Sequence, residues 1–287
     1  MTIMAKNQSK PILTSWFLLI FLSLYLHQTH ISAQEVEDER EFDYARDSEK
    51  GPQRWGDIKK EWRACKHGKL QSPIDLLDHR VKVLPKFGEL KMNYEPANAT
   101  MRNRGHDIAI KWLGNAGSVK INGTDYFLKQ YHWHTPSEHT INGRSFDLEM
   151  HMVHQSHEVN KESKIAVIAL FYKTGEPDPF LSKFTRDLIS IIDTKKEVHL
   201  GLVDPRDLRI KGLKYYRYLG SLTVPPCTEG VLWAINKRIS TVSTEQMRLL
   251  KLAVHDYAEM NARPLQPLHG RDIHLFSSKL RPGDPKD

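Results

Sequence analysis

The 287-residue sequence predicts a single, mostly-β domain with a few peripheral helices. Short runs rich in β-branched and aromatic residues recur along the chain, and several of them alternate polar with apolar residues. Gly, Pro and Asn separate these runs at short intervals, a pattern typical of half-buried strands joined by turns. The predicted strands are residues 106–112, 118–121, 126–134, 146–154, 165–172, 216–222 and 231–235.

Turn and helix signals complete this outline. Asn-Gly pairs begin at Asn122 and Asn142, and such pairs are typical of two-residue hairpin turns. Residues 179–192 and 244–261 have a helical pattern, and the second segment follows a capping sequence at Ser243. The chain contains no internal repeat and is long enough to bury one large core, so we expect a single domain.

The first 33 residues predict a secretory signal peptide. Lys6 and Lys10 precede an apolar run at residues 16–26, broken only by Ser23, and Ala33 offers a small residue for cleavage. A membrane-spanning helix needs about 20 apolar residues, so the run is too short for an anchor. Residues 34–43 are expected to be a flexible acidic lead-in, residues 44–277 the domain, and residues 278–287 a polar tail.

Charge and cysteine content restrict the possible partners and compartment. Removal of the signal peptide lowers the formal charge from +7 to +5, and the remaining basic residues are scattered. No nucleic-acid motif accompanies them, so we expect neither a nucleic-acid partner nor a membrane partner for the mature chain. Cys65 and Cys227 predict one disulfide in the oxidising secretory route. Asn98 and Asn122 begin Asn-x-Thr sequons and are predicted glycosylation sites of an extracellular protein.

Two predicted strands carry a candidate metal site. Side chains alternate along a strand, so His132 and His134 share one face with Gln130 beside them. The next strand places His151 and Glu149 on one face by the same rule. Three neutral imidazoles suit Zn²⁺ and leave its fourth position open to water, as in catalytic zinc sites. We therefore predict zinc ligation by the three histidines, with the amide and the carboxylate orienting the imidazoles.

Two other interpretations of the histidines fit the sequence less well. The spacing of His132, His134 and Glu138 also fits the first half of a cupin metal motif, but Ser145 replaces the usual glycine and the second cupin motif is not found. A cupin-like metal binder is therefore the weaker hypothesis. The His-Glu-x-x-His pattern of common zinc proteases is missing. Three further histidines show no partner in the sequence and are expected to be structural or exposed: His139, His154 and His157.

An ordered series of sequence blocks over nearly the whole mature chain resembles the α-carbonic anhydrases, particularly those of plants. The resemblance implies a ten-stranded, mainly antiparallel twisted sheet with zinc at the floor of a conical cavity. It also implies reversible hydration of carbon dioxide to bicarbonate and a proton by zinc-bound hydroxide. The blocks are Gly51-Pro52-x-x-Trp55-Gly56, Gln71-Ser72-Pro73-Ile74-Asp75, Gly105-His106, residues 130–139, residues 149–154, residues 221–227 and Asn261-x-Arg263-Pro264-x-Gln266-Pro267-Leu268.

The same resemblance implies a role for individual residues. Glu138 and Thr223 resemble the family's gate, in which the threonine hydroxyl donates to the glutamate and accepts from the zinc-bound hydroxide. His106 resembles its proton shuttle, an exposed imidazole with a pKa near 6.5 that passes a proton to buffer. Cys65 and Cys227 fall where secreted members form their disulfide. The remaining residues resemble the lining of the carbon dioxide pocket: Val153, Val167, Leu222, Thr223, Val224 and Trp233.

Two alternatives remain open at this point. The first is a non-catalytic storage or binding protein on the same fold, against which the retention of all three zinc histidines weighs. The second concerns location, because the resemblance to plant members allows delivery to the chloroplast stroma through the secretory route. The oligomeric state is left open by the sequence.

Overall fold

The computed structural model describes residues 41–84, 90–157, 163–192, 194, 196–210, 214–254 and 258–277. The predicted signal peptide, most of the acidic lead-in and the polar tail lie outside these residues. Within them, no helix combines the length and hydrophobicity needed to cross a membrane.

Strands dominate the secondary structure. The helices are α1 (Trp55–Ile58), α2 (Ala64–His67), α3 (Pro179–Ser182), α4 (Thr185–Ser190) and α5 (Thr244–Ala253), with 3₁₀ turns at Lys60–Trp62, Asp78–Arg80 and Pro205–Leu208. The strands are β1 (Asp75–Leu76), β2 (Val81–Leu84), β3 (Lys91–Tyr94), β4 (Ala97–Asn103), β5 (Ile108–Trp112), β6 (Gly117–Ile121), β7 (Thr124–His134), β8 (Thr140–Ile141), β9 (Leu148–Ser156), β10 (Ile165–Thr174), β11 (Glu197–Val203), β12 (Lys214–Ser221), β13 (Glu229–Val242) and β14 (Ile273–Ser277).

One mixed sheet of twelve strands forms the centre of the described chain. Its main path runs β11-β4-β5-β7-β9-β10-β13-β12-β14-β2, with β6 and β3 attached beside β7, and β1 pairs with β8 separately. The expected large, mainly antiparallel sheet is confirmed, but the expected number of ten strands is wrong. The sheet is mixed because β10 runs parallel to β13 and β14 parallel to β2.

All seven predicted strands are present, six with ends shifted by at most two residues and the last extended from residue 235 to Val242, whereas both predicted helices are shorter. The first is divided into α3 and α4, since the amides of Lys183 and Phe184 donate three residues back and tighten the turn into 3₁₀ geometry. The second ends at Ala253, because Val254 takes an extended backbone with φ −84° and ψ 161° and buries its side chain.

The two faces of the sheet bury different clusters. Met150 and Met152 of β9 belong to the large apolar core, together with Tyr131 and Trp133 of β7. Side chains alternate along β9, so Glu149 and His151 project from the other face. The predicted division of β9 into an apolar face and a histidine face is therefore confirmed.

A third apolar cluster anchors the beginning of the domain. Phe42 is 1 % exposed, and its ring packs edge-on against Trp55 and Trp62. The predicted disulfide between Cys65 and Cys227 lies in the same cluster and joins residues 162 apart in sequence. The expectation that the flexible lead-in extends to residue 43 is therefore wrong, because burial of the Phe42 ring fixes the chain from that residue onward.

Both predicted Asn-Gly turns are present. Asn122 and Gly123 have φ values of 50° and 84°, and Ile121 pairs with Thr124 across the turn between β6 and β7. Asn142 likewise has a φ of 51° in the turn after β8. Asparagine tolerates this left-handed region better than most residues with a side chain, which explains the pattern.

Candidate metal centre

Three histidines converge because their strands are neighbours in the sheet. β7 and β9 pair antiparallel, and this register places His132 directly opposite His151. His134 follows two residues after His132 on the same face of β7. All three side chains are at most 2 % exposed, and one nitrogen from each lies within 4.8 Å of the others. The structure therefore brings together the three histidines singled out from the sequence.

The β7 imidazoles are each oriented through Nδ1. His132 Nδ1 donates to Gln130 Oε1 at 3.1 Å, as predicted, and His134 Nδ1 donates to the backbone carbonyl of Asn261 at 2.8 Å. Both rings therefore present an unprotonated Nε2 to the centre. Burial lowers the pKa of His132 well below its usual value, which keeps that ring neutral as metal ligation requires.

The third imidazole is turned the other way. His151 Nε2 donates to Glu149 Oε1 at 2.8 Å, so Nδ1 faces the centre and lies 3.2 Å from His132 Nε2. Burial alone would raise the pKa of Glu149, but its interactions with the His139 and His151 imidazoles outweigh burial and hold that pKa well below its usual range. The carboxylate thus stays ionised and fixes the tautomer of His151.

His139 has partners that the sequence did not reveal. It is fully buried, its backbone amide and Nδ1 donate to Glu149 at 2.8 and 2.7 Å, and its Nε2 hydrogen-bonds the Tyr218 hydroxyl at 2.7 Å. His154, in the opposite face of β9, hydrogen-bonds the Tyr94 hydroxyl at 2.8 Å. Both histidines are therefore structural, one of the two roles expected for them, and their partners provide the hydrogen bonds that buried polar groups need. His157 is exposed, as expected.

The donor set fits a zinc ion. Within the described chain, the buried Nε2 of His134 has no hydrogen-bond partner, although polar atoms inside proteins seldom lack one. It points toward the same small region as the other two ligand atoms. Three neutral nitrogens with no thiolate or carboxylate among them correspond to the ligand set of catalytic zinc sites that keep one position open.

Glu138 and Thr223 lie together beside the imidazoles. Glu138 accepts from the Arg263 amide at 2.9 Å, and its Oε2 is 3.7 Å from His134 Nε2. Burial raises the pKa of Glu138 to about 7, while the nearby Thr223 side chain acts in the opposite direction. Within the described chain, the buried Glu138 Oε2 has no hydrogen-bond partner, so the expected hydrogen bond from Thr223 stays a prediction.

Most of the predicted apolar lining forms one cluster. Val167, Leu222 and Trp233 are buried together, and Val153 packs against them half-buried. Val224 is also buried but belongs to the cluster around the disulfide. The candidate site therefore has one apolar wall on strands β9, β10 and β13 and a separate apolar contact on the loop after β12.

His106 does not have the exposure that its predicted role requires. It is 1 % exposed, its ring lies 5.1 Å from the Phe42 ring, and its Nε2 is 3.7 Å from Asp107 Oδ2. A group that passes protons to buffer must reach solvent. The expectation of an exposed shuttle imidazole is therefore wrong for this conformation, because the aromatic cluster at the beginning of the domain covers the ring.

Several functional contacts come from residues distant in sequence. Asn261 orients His134 from 127 positions away and also accepts from the Thr135 amide at 2.7 Å through its side chain. The Arg263 contact to Glu138 spans 125 positions. A single sequence carries no signal for a backbone carbonyl acceptor at such a distance, and only the block at residues 261–268 pointed to this segment.

Comparisons with known proteins agree with this geometry. The family model for eukaryotic-type carbonic anhydrase matches residues 50–277. Alpha carbonic anhydrase 7 of Arabidopsis thaliana is 47 % identical over 258 residues, covering 90 % of this chain and 92 % of the relative. Carbonic anhydrase Nec1 of Nesocodon mauritianus is 48 % identical over 264 residues, with 92 % and 95 % covered. The crystal structure of dioscorin complexed with ascorbate superimposes with a TM-score of 0.80 at 44 % identity, covering 83 % of this chain and 99 % of that one.

Proposed function

Because the chain belongs to the eukaryotic-type carbonic anhydrase family, we propose that it is a zinc enzyme that reversibly hydrates carbon dioxide to bicarbonate and a proton. The observation that supports this most strongly is the buried cluster of three imidazoles, each with its second nitrogen held by an acceptor. Such pre-orientation favours metal binding over a merely structural role. The zinc ligands in this proposal are His132, His134 and His151.

Bound zinc would lower the pKa of water at its open position to about 7 and so supply a nucleophile at neutral pH. The side chains around the metal position orient the reacting groups and exclude competing water. In this proposal Glu138 accepts the proton of the Thr223 hydroxyl, so the oxygen of Thr223 is left to accept from a donor inside the cavity. That single acceptor would fix the direction of the attacking lone pair.

The apolar wall binds the substrate. Carbon dioxide carries no net charge, so a surface formed by Val167, Leu222 and Trp233 can hold it without hydrogen bonds. The same surface keeps competing water from that side of the cavity. Val224 lies near the disulfide, on the loop that carries Thr223. In this proposal it makes a second contact to the substrate from that loop.

The likeness to dioscorin favours a second candidate function, a non-catalytic storage or binding protein on this fold. The two proposals differ at the metal. A storage or binding protein has no need for three oriented imidazoles beside an apolar wall, whereas an enzyme needs each of them.

The decisive experiment measures zinc content and carbon dioxide hydration of the purified protein, the His132→Ala variant and the matched control His199→Ala. His199 is exposed on β11, outside the site. We expect stoichiometric zinc and fast hydration in the parent and the control, and loss of both in His132→Ala. Zinc without hydration would support the second candidate, and a parent protein without zinc would refute the enzyme proposal.

We also propose that the protein follows the secretory route to the extracellular space, with the chloroplast stroma as the alternative destination. The disulfide between Cys65 and Cys227 supports passage through an oxidising compartment. Fractionation of plant cells that express the tagged full chain would distinguish the two destinations.

A further inference from the structure

Two exposed leucines lie on either side of Asn98 near one edge of the sheet. Leu202 in β11 is the register partner of Asn98 in β4, and the amide of Leu113, directly after β5, donates to the Asn98 carbonyl at 2.8 Å. Directly opposed residues share one face, with their Cβ atoms about 5 Å apart. Leu202 is 71 % exposed and Leu113 is 55 % exposed. Asn98 therefore stands between two apolar side chains that remain open to solvent.

The side chain of Asn98 points away from the core. The next residue, Ala99, is 1 % exposed, and its register partner Trp112 belongs to the large apolar core. Since side chains alternate along β4, Asn98 and its two leucine neighbours project from the sheet face opposite the large apolar core, and this face is exposed at that end of β4. Asn98 itself is exposed.

This position is also beside a sheet edge. Among the described strands, β11 pairs only with β4 and forms one end of the main path. An edge strand with exposed apolar side chains is a template for pairing with another chain, and proteins usually protect such edges. Leu202 lies opposite the uncharged Asn98 and is left largely uncovered by the described residues.

Asn98 begins the sequon Asn98-Ala99-Thr100, and we propose that it carries an N-linked oligosaccharide whose first sugar packs on Leu113 and Leu202. In the modification, Asn98 Nδ2 bonds to C1 of the first N-acetylglucosamine and loses one proton, while the C1–O bond to a lipid diphosphate carrier breaks and the diphosphate leaves. The apolar C–H face of that sugar covers the two leucines, and its bulk shields the edge formed by β11. This inference rests on the predicted secretory route and is independent of the proposed function.

The folded structure also sets when the transfer occurs. Thr100 is 1 % exposed, so the hydroxyl that the transferase must read is inaccessible after folding. The oligosaccharide is therefore added before β4 enters the sheet. The outward direction of Asn98 then accommodates it without displacing core side chains.

The second sequon provides a matched control. Asn122 occupies the hairpin turn between β6 and β7, and its Oδ1 accepts from Arg217 at 2.9 Å. Its neighbour Ile121 is 1 % exposed, so the turn presents no comparable apolar surface. An oligosaccharide at Asn122 would have no leucines to cover, and its loss should leave association unchanged.

The test begins with the full chain expressed in a plant secretory host. Treatment with the amidase that removes N-linked oligosaccharides should convert Asn98 to Asp, detected by peptide mass spectrometry. An unmodified Asn98 in the recovered protein would overturn the proposal.

Sedimentation then tests the covering role in two variants, Asn98→Gln and Thr124→Val, each of which removes one sequon. We expect Asn98→Gln to self-associate at least tenfold more tightly than the parent and Thr124→Val to match the parent. Addition of Leu113→Ser and Leu202→Ser to Asn98→Gln should restore the parent behaviour. Equal association of the two sequon variants would overturn the covering role.

Enzymatic trimming of the folded parent supplies a measurement that does not depend on folding of a variant. An endoglycosidase that leaves one sugar on Asn98 should not change association, whereas complete removal should increase it. An increase after trimming alone would show that the distal sugars, and not packing of the first sugar, protect the edge.

Discussion

Replacement of the buried pair His154 and Tyr94 by two phenylalanines should remove a pH dependence of about 2 kcal/mol from the unfolding free energy between pH 7 and pH 5. Burial lowers the pKa of His154 to about 4, and the backbone carbonyls of Met152 and Ala166 offset only part of this effect. In the unfolded chain the same imidazole has a pKa near 6.5.

The sign follows from which state binds the proton first. As the pH falls below about 6.5 the unfolded chain protonates His154, while the folded chain stays neutral until about pH 4. The stability contributed by the neutral ring is therefore fully present above about pH 6.5 and is lost as the pH falls toward 4. The full pKa difference corresponds to about 3 kcal/mol, of which about 2 kcal/mol is lost between pH 7 and pH 5.

Urea unfolding at pH 7, 6 and 5 measures this dependence in the parent, in Tyr94→Phe/His154→Phe and in the control Tyr94→Phe, which keeps the titrating ring. The metal site is common to all three proteins, so its own pH response cancels in the differences. The parent and the control should lose stability in parallel, and the double variant should lose about 2 kcal/mol less. Parallel curves for all three proteins would refute the assignment of a strongly lowered pKa to His154.

Four other perturbations follow from the structure. Glu149→Gln should weaken zinc retention about 10- to 100-fold in a chelator competition, because the carboxylate orients His151. Loss of the Cys65–Cys227 disulfide by double serine substitution should cost up to about 5 kcal/mol in urea unfolding, since it closes a loop spanning 162 positions. Ser243→Ala should destabilise by about 1 kcal/mol through loss of the α5 capping box. His106→Ala should leave hydration at low buffer within about twofold of the parent, because a buried ring contributes little proton exchange; a large loss, restored by added imidazole, would contradict this.

The candidate metal ligands were predictable because their strands follow a local rule. The two-residue period of a strand placed His132 with His134 and His151 with Glu149, and the structure keeps both pairings. The predicted contact of Gln130 with His132 rests on the same period. Resemblance to a family was needed to assign Glu138, Thr223 and His106 and to identify the lining of the carbon dioxide pocket.

The remaining features depend on long-range packing. The burial of His106 arises from Phe42, which an acidic and aperiodic segment gave no reason to place in the core. The partners of His139 lie on β9 and β12, and neither pairing can be read from a single sequence. The order of strands in the sheet could not be predicted from local sequence patterns either. β13 pairs in parallel with β10, although β11 and β12 lie between them in sequence.

The buried guanidinium of Arg263 explains why the resemblance is distributed over several short blocks. Its Nη atoms donate to Gln71 Oε1, to the Ser72 carbonyl and to the Cys65 carbonyl, while its backbone amide donates to Glu138. These acceptors lie in three separate segments, at Cys65, at Gln71–Ser72 and at Glu138, and a buried cation that loses one of its acceptors is costly. The disulfide region and the carboxylate beside the metal ligands are therefore parts of one polar network. Substitution in any one of these blocks should alter the position of Glu138 even without direct contact with the site.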